Sequence, residues 1–145
     1  MRLVIQRVKH ADVSVDGKTV GKINQGFLVL FGVKTTDTKK DADYLVRKLI
    51  NLRIFEDENG KMNLNIKQVD GSMLIVSQFT LYGDCTEGNR PSFTNAARPD
   101  FANELYEYFC DKCIENNIHI EKGIFGADMK VSLLNDGPVT IILEK

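Results

Sequence analysis

The chain has 145 residues, 43% of them hydrophobic and 27% charged, the composition of an ordinary globular domain. A chain of this length buries roughly 70% of its unfolded surface, so one core can form without disulfides or a structural metal. Nineteen basic against twenty acidic side chains leave a formal charge of −1, which excludes binding to nucleic acid or membranes by bulk charge and confines any RNA contact to a local patch.

The N-terminal stretch Met1 to Lys9 breaks its apolar run with charge too early for a secretory signal. Nowhere do ~18 apolar residues follow one another. A cytoplasmic protein with no membrane partner is therefore expected. Three cysteines, an odd number, fit a reducing compartment. Residues 1–80 carry 13 basic and 9 acidic side chains, residues 81–145 carry 6 and 11. That asymmetry permits a local basic face in the first half.

In chain order, Leu3 to Val8 reads as a strand, and Val13 and Val15 alternate before Asp16-Gly17, a pair suited to a tight hairpin turn. Thr19 to Ile23 is the return strand. Gly26 to Val33 is a continuous apolar run bracketed by glycines, which predicts a strand covered on both faces at the centre of the sheet. Thr38 and Asp41 resemble a capping box, and Ala42, Leu45, Val46, Leu49 and Ile50 recur at helical spacing behind them. After a polar turn at Asp57 to Lys61, Met73 to Leu81 predicts a second apolar strand.

Residues 83–99, with Gly83, Gly88, Pro91 and Pro99, form the longest irregular stretch. Loops of that length in compact domains are often functional. A second helix is expected from about Asp100 to Asn116, with Ala102, Leu105, Tyr106, Phe109, Cys110 and Cys113 on one face. Met129 to Leu134 and Val139 to Leu143 predict strands joined by a turn at Asn135-Asp136-Gly137-Pro138. No repeat, low-complexity tract or linker interrupts residues 1–145, so a single domain is expected. The fold class is α+β, with antiparallel, barrel-like β-sheets and two main helices packed outside.

Three stretches are more polar or glycine-rich than a core requires. Ser77-Gln78-Phe79-Thr80 ends a strand, and strand alternation puts Gln78 and Thr80 on one face. Such groups serve either as strand-end polar residues satisfied by backbone or as substrate contacts. Gly88 to Thr94 places Arg90 among hydroxyls and an amide, where it can grip a phosphate or staple the loop by a salt bridge. Gly123 to Met129 and Asn135 to Thr140 form the third. Pro138 there suits a turn or sheet edge, with main-chain carbonyls exposed in a fixed geometry.

Nucleophile elbows, P-loops and metal-hydrolase motifs are absent from the sequence. His10 and His119 are the only histidines, and Cys110 and Cys113 form an isolated C-x-x-C within the second helix. Neither cofactor nor metal is expected, and the two thiols read as core or surface groups.

Taken together, Met1-Arg2 through Gln6-Arg7-Val8, Asn51 to Phe55, Lys61-Met62-Asn63, Ser77 to Leu81, Asn89 to Phe93, Phe125 to Met129 and Asn135 to Thr140 resemble the D-aminoacyl-tRNA deacylase family over nearly the whole length. The resemblance implies hydrolysis of the ester between a D-amino acid, or glycine, and the 3′-terminal ribose of tRNA. Its partner is then tRNA charged with a D-amino acid or glycine, including glycine mischarged on tRNA-Ala.

The resemblance also implies a homodimer with active sites at the subunit interface, the Ser77 to Thr80 segment of one chain facing the Gly137-Pro138 segment of the other. By that similarity, Gly137 and Pro138 form a Gly-cis-Pro chirality filter whose carbonyls hold the substrate ammonium and reject L side chains. Ser77, Gln78, Phe79 and Thr80 form the catalytic segment. Thr80 acts there as nucleophile, or the tRNA 2′-hydroxyl assists water attack; the RNA-assisted route is preferred because no base adjoins Thr80. Phe79 and Met129 line the terminal-adenosine pocket, and Arg7 holds the Gly-Pro segment. Glu87 and Cys85 depart from the family pattern, and Glu87, standing where a basic residue is expected, shifts the expected tRNA phosphate contacts to Arg90, Lys34, Lys39 and Lys40. A non-catalytic dimeric tRNA-binding module is the competing expectation.

Overall fold

The computed structural model describes residues 1–145. Eight strands, β1 (Arg2–Val15), β2 (Lys18–Ile23), β3 (Gly26–Gly32), β4 (Phe55–Glu56), β5 (Met62–Leu64), β6 (Ser72–Ser77), β7 (Ile120–Lys122) and β8 (Lys130–Glu144), accompany two helices, α1 (Lys39–Ile50) and α2 (Pro99–Glu115). The main sheet runs β2-β1-β3-β6-β7, with β8 on β1; β4 and β5 form a separate two-stranded sheet. β1 is long enough to hold β3 against its first half and β2 against its second, while β8 runs along its other edge. The result is the expected α+β class, with a nearly closed, barrel-like sheet.

Two pairings depart from the antiparallel expectation: β3 with β6 and β6 with β7 are parallel. The connection between the first pair carries α1 and that between the second carries α2, as parallel neighbours require a crossover. The predicted strand through Leu81 ends at Ser77, and Phe79–Tyr82 forms a 3-10 turn. The apolar side chains at 79 and 81 had extended the strand pattern past its true end. The strict alternation of Gln78 and Thr80 on one strand face is lost with it.

The predicted hairpin at Asn135–Pro138 is also corrected. β8 continues through it, with Val8 opposite Asn135 and Gln6 opposite Thr140. One residue of β1, Arg7, therefore faces four of β8, residues 136–139, and the excess bulges out of the ladder. Asn135 Nδ2 donates to the carbonyls of Arg7 at 3.1 Å and Val139 at 3.0 Å, closing the bulge at its neck. The Gly137-Pro138 peptide is cis.

Both faces of β3 are covered, as its apolar run predicts. Phe27, Val29 and Phe31 join the larger core with Leu45 and Leu49 of α1 and Leu105 and Phe109 of α2, whereas Leu28 faces Val8, Val13, Leu74 and Val76 in a second cluster. Asp41 accepts a hydrogen bond from the Thr38 backbone N–H at 2.8 Å, completing the capping box that starts α1. Tyr106 of α2 donates to the Ile75 carbonyl at 2.8 Å and so fixes that helix over β6. Cys110 and Cys113 are buried free thiols in this core, and Cys85 is exposed. No helix is long and apolar enough to cross a membrane.

Candidate functional site

At the C-terminal end of β6 the chain leaves the sheet. The Gln78 N–H donates to the Phe31 carbonyl at 2.7 Å, and the next residues turn back against β3. Gly32 allows this close approach, since a Cβ there would meet Leu81 Cβ at 3.0 Å and the Gln78 carbonyl at 3.2 Å. Arg2 anchors the far side of the turn, donating from Nη1 to the Leu81 carbonyl at 2.7 Å. Gln78 Nε2 donates to Thr80 Oγ1. Leu81 N–H takes the Gln78 carbonyl, which leaves the N–H groups of Phe79 and Thr80 in the unsatisfied first turn.

The turn borders a cavity of about 550 Å³, mostly apolar, whose lining includes Phe31, Val76, Phe79, Phe93, Phe125 and Met129, with Ser77, Gln78 and Asp128 as polar members. The long loop supplies one wall. Its limbs are tied by paired Asp84 and Ser92 backbone hydrogen bonds of 2.8 Å, and it is sewn to the exit of β3 by Thr35 N–H to Asn95 carbonyl at 3.2 Å and Ala97 N–H to Val33 carbonyl at 2.9 Å. Phe125 to Met129, between β7 and β8, form another wall.

Ser77, Gln78, Phe79 and Met129 therefore share one cavity, with Thr80 exposed on the adjoining turn. Phe93, Phe125 and Asp128 also line it. Their motifs were visible in the sequence, but nothing in an isolated phenylalanine or aspartate distinguishes a cavity wall from a loop anchor.

No carboxylate or imidazole is hydrogen-bonded to Thr80, whose Oγ1 accepts from Gln78 Nε2. Asp128 is exposed and held by Lys130 at 2.8 Å. His119 lies level with Met73, whose N–H bonds its carbonyl, about 13 Å down the strand from Ser77 at ~3.3 Å per residue. It borders a separate polar cavity of about 450 Å³ with Lys67, Asp70 and Ser72, which contains none of the predicted site residues. No three His, Cys, Asp or Glu side chains cluster as metal ligands.

Arg7, Gly137 and Pro138 form a second constellation. Arg7 is 4% exposed. It donates from Nε to the Asp136 carbonyl at 3.1 Å and from Nη1 to the Ile54 carbonyl at 2.6 Å. Carboxylates of Asp136 at 3.4 Å and Glu56 at 3.8 Å balance its charge. Gly137 has φ +123°, and a Cβ on it would meet Val139 Cγ2 at 2.8 Å and Arg7 Nη2 at 2.9 Å. Gly137 and Pro138 are exposed.

The two constellations are not joined within one chain. Arg7 pairs with Phe27, and Phe27 with Met73, so Gly137 lies three strand spacings from β6 and five residues short of Gln78. Measured along the curved sheet, that is on the order of 20 Å by strand geometry, and none of Arg7, Gly137 and Pro138 lines the cavity.

Of the expected tRNA contacts, Arg90 is exposed in the long loop and Lys34 bridges to Ala96 on its returning limb. Lys39 is instead engaged with Glu104 at 2.9 Å, whose hydrogen bond and charge hold the ammonium above its usual range. Lys40 is exposed on the first turn of α1.

The sequence model described as D-Tyr-tRNA(Tyr) deacylase matches residues 4–144. A D-aminoacyl-tRNA deacylase of Thermosipho africanus (strain TCF52B) is 60% identical over 144 residues, covering 99% of this chain and 97% of the relative. One from Clostridium novyi (strain NT) is 56% identical over 144 residues, with the same coverage. Among solved structures, a protein described as c-Myc DNA Unwinding Element Binding Protein has a TM-score of 0.94 at 40% identity, covering 100% of this chain and 99% of its own. Another, described as a probable eukaryotic D-amino acid tRNA deacylase, has a TM-score of 0.86 at 17% identity, covering 98% and 97%, a likeness of fold.

Proposed function

The chain belongs to the D-Tyr-tRNA(Tyr) deacylase family, and we propose that it cleaves the ester joining a D-amino acid to the 3′-terminal ribose of tRNA, releasing the free amino acid and reusable tRNA. It is accordingly a hydrolase of carboxylic esters. The observation that carries the reading is the apolar cavity whose polar groups include Ser77 and Gln78, beside a turn that gives the Phe79 and Thr80 N–H groups no partner within it.

In this mechanism Phe79 and Met129 receive the terminal adenosine, and Gln78 with the main chain at Phe79 and Thr80 holds the ester. These N–H groups face the carbonyl oxygen as charge develops on it. An aminoacyl ester is already reactive, so positioning does much of the work. Water attacks the carbonyl carbon with help from the neighbouring 2′-hydroxyl of the tRNA. That no carboxylate or imidazole is hydrogen-bonded to Thr80 favours this route over a threonine nucleophile.

The acting unit is a homodimer with its sites at the subunit interface. Gly137 and Pro138 of one chain meet the Ser77 to Thr80 segment of the other, and their carbonyls hold the substrate ammonium. Two observations support this: the ~20 Å separation along the sheet within a chain, and the outer edge of β8. That edge has no strand partner, and Leu134 and Ile142 on this strand are 52% and 62% exposed, a surface that a second copy would cover.

A filter made of backbone cannot change rotamer, so an L side chain is rejected by steric clash and lost hydrogen bonds. Glycine offers nothing to reject and passes, including glycine mischarged on tRNA-Ala. The setting is the cytoplasm, where charged tRNA is used.

The test is single-turnover release of D-tyrosine from D-Tyr-tRNA by purified protein, with and without chelator. Release at equal rates in both arms is expected. Binding of the charged tRNA without release would favour a non-catalytic module and overturn the reading.

A further inference from the structure

Phe79 and Phe93 are 56% and 37% exposed, and both line the mouth of the cavity. Their ring centroids are 5.0 Å apart at an interplanar angle of 57°. At that tilt the two rings do not stack on each other, so outer faces stay uncovered. Water-exposed aromatic surface is unfavourable unless something covers it in use.

Phe93 is also held in place. The Asp84 and Ser92 backbone pair closes the loop before it, the Ala96 N–H bonds its carbonyl at 3.0 Å, and the Ser92 and Thr94 hydroxyls are 2.9 Å apart. Its ring packs over Gly83, where a Cβ would meet Phe93 Cε1 at 3.1 Å. The side chain is thus a fixed platform rather than a loose loop residue.

We propose that Phe93, backed by Phe79, is a stacking site for an unpaired nucleobase of the acceptor end, the one preceding the terminal nucleotide. The proposal rests on the deacylase reading above. Three features select a nucleobase over an apolar protein segment. The platform is continuous with the cavity that takes the ester, so it lies within reach of the next unit of the same strand. Arg90 in the same loop and Lys34 beside its returning limb supply cations for the backbone, against Asp84 and Glu87 in that loop. The chain as a whole carries −1, so bulk charge contributes little and stacking must supply affinity. Every base has a π face, which makes such a site indifferent to tRNA identity.

The test compares D-tyrosyl esters of adenosine and of a trinucleotide ending in the same adenosine. For each protein, kcat/KM on the trinucleotide is divided by that on the mononucleoside. Phe93→Ala and Phe93→Leu should each lower this ratio about tenfold or more, and Phe93→Trp should keep it. In parallel, an uncharged trinucleotide with 2-aminopurine in the penultimate position should be quenched by the native protein and not by Phe93→Ala. An unchanged ratio with unchanged quenching overturns the proposal, as does a shift of the Phe93→Ala protein from dimer to monomer by size exclusion, which would assign the ring to a contact between copies. If the native protein hydrolyses neither ester, the deacylase reading fails, and the quench still decides whether Phe93 stacks a base.

Discussion

Arg7 donates from Nε to the carbonyl oxygen of Asp136 at 3.1 Å, so a buried guanidinium holds the backbone immediately before Gly137. Its second hydrogen bond, to the Ile54 carbonyl at 2.6 Å, fixes the other end of the fork. Arg7→Ala leaves both carbonyls and the carboxylates of Asp136 and Glu56 without this partner. A loss of about 3 kcal/mol of stability is expected, from charged hydrogen bonds of this kind. Activity should fall further than the folded fraction does. Arg7→Lys keeps the charge but not the fork, and should recover stability better than activity. Urea unfolding and deacylation rates on the same preparations check both expectations.

Gly137→Ala tests the bulge itself. The added methyl group meets Val139 and Arg7 below 3.0 Å, at a φ of +123° that L residues rarely adopt. The carbonyls at 137 and 138 must shift. The expected outcome is a loss of about 10²-fold in kcat/KM for D-Tyr-tRNA with the chain still folded by circular dichroism. Native rates in this variant would remove Gly137 from the site.

Thr80→Ala separates the two chemical routes. Removing the hydroxyl takes away the hydrogen bond from Gln78 but leaves the backbone N–H groups. Turnover within about fivefold of native is expected, whereas loss by ~10³ or more with unaltered folding and tRNA binding would establish a threonine nucleophile. The converse substrate ends in 2′-deoxyadenosine and should be hydrolysed at least ~10²-fold more slowly. Equal rates on the two substrates would exclude assistance by the 2′-hydroxyl.

Much of the fold was legible because local and tertiary preferences agree. Asp16-Gly17 turns the β1–β2 hairpin, and both residues have positive φ. Thr38 with Asp41 starts α1, and the glycine-bracketed run at 26–33 becomes the strand covered on both faces. Three features were not legible. Phe79 and Leu81 continue an apolar pattern although the strand has ended, and composition does not mark where a chain leaves a sheet. Gly137-Pro138 has the chemistry of a hairpin turn, but β1 continues past it and keeps both flanks paired. The parallel pairing of β3 with β6 depends on α1 crossing over, a long-range relation that hairpin spacing does not encode.

The same distinction applies to the site. Residue types identified the polar Ser77 to Thr80 segment as a candidate, and the resemblance added Arg7, Gly137, Pro138 and Met129. The resemblance puts the two segments on different chains of a dimer, whereas residue types alone do not reveal that Arg7 and Gly137 lie far from Gln78 in one chain. Strand register supplies that separation.

The cysteines make a pH prediction. Burial pushes the Cys113 thiol from an ordinary value of 9.0 up to about 12, and burial, then the neighbouring Cys113, raises Cys110 as well. The folded pKa is the higher one, so this contribution to stability is complete below pH 9 and is lost as pH rises toward 12. The slope is about 1.4 kcal/mol per pH unit per thiol at most. Urea midpoints should fall between pH 8 and pH 10, less steeply in a Cys110→Ala/Cys113→Ala variant. At pH 8 iodoacetamide should label one thiol per native chain, the exposed Cys85. Rapid native labelling of all three would contradict the burial.

The most direct measurement of the central claim is the ratio of kcat/KM for D-Tyr-tRNA to that for L-Tyr-tRNA, taken with the same native protein under identical conditions. A backbone filter that an L side chain cannot pass predicts a ratio of at least ~10³, since rejection combines steric overlap with lost hydrogen bonds to the ammonium. Equal hydrolysis of the two enantiomers would contradict it.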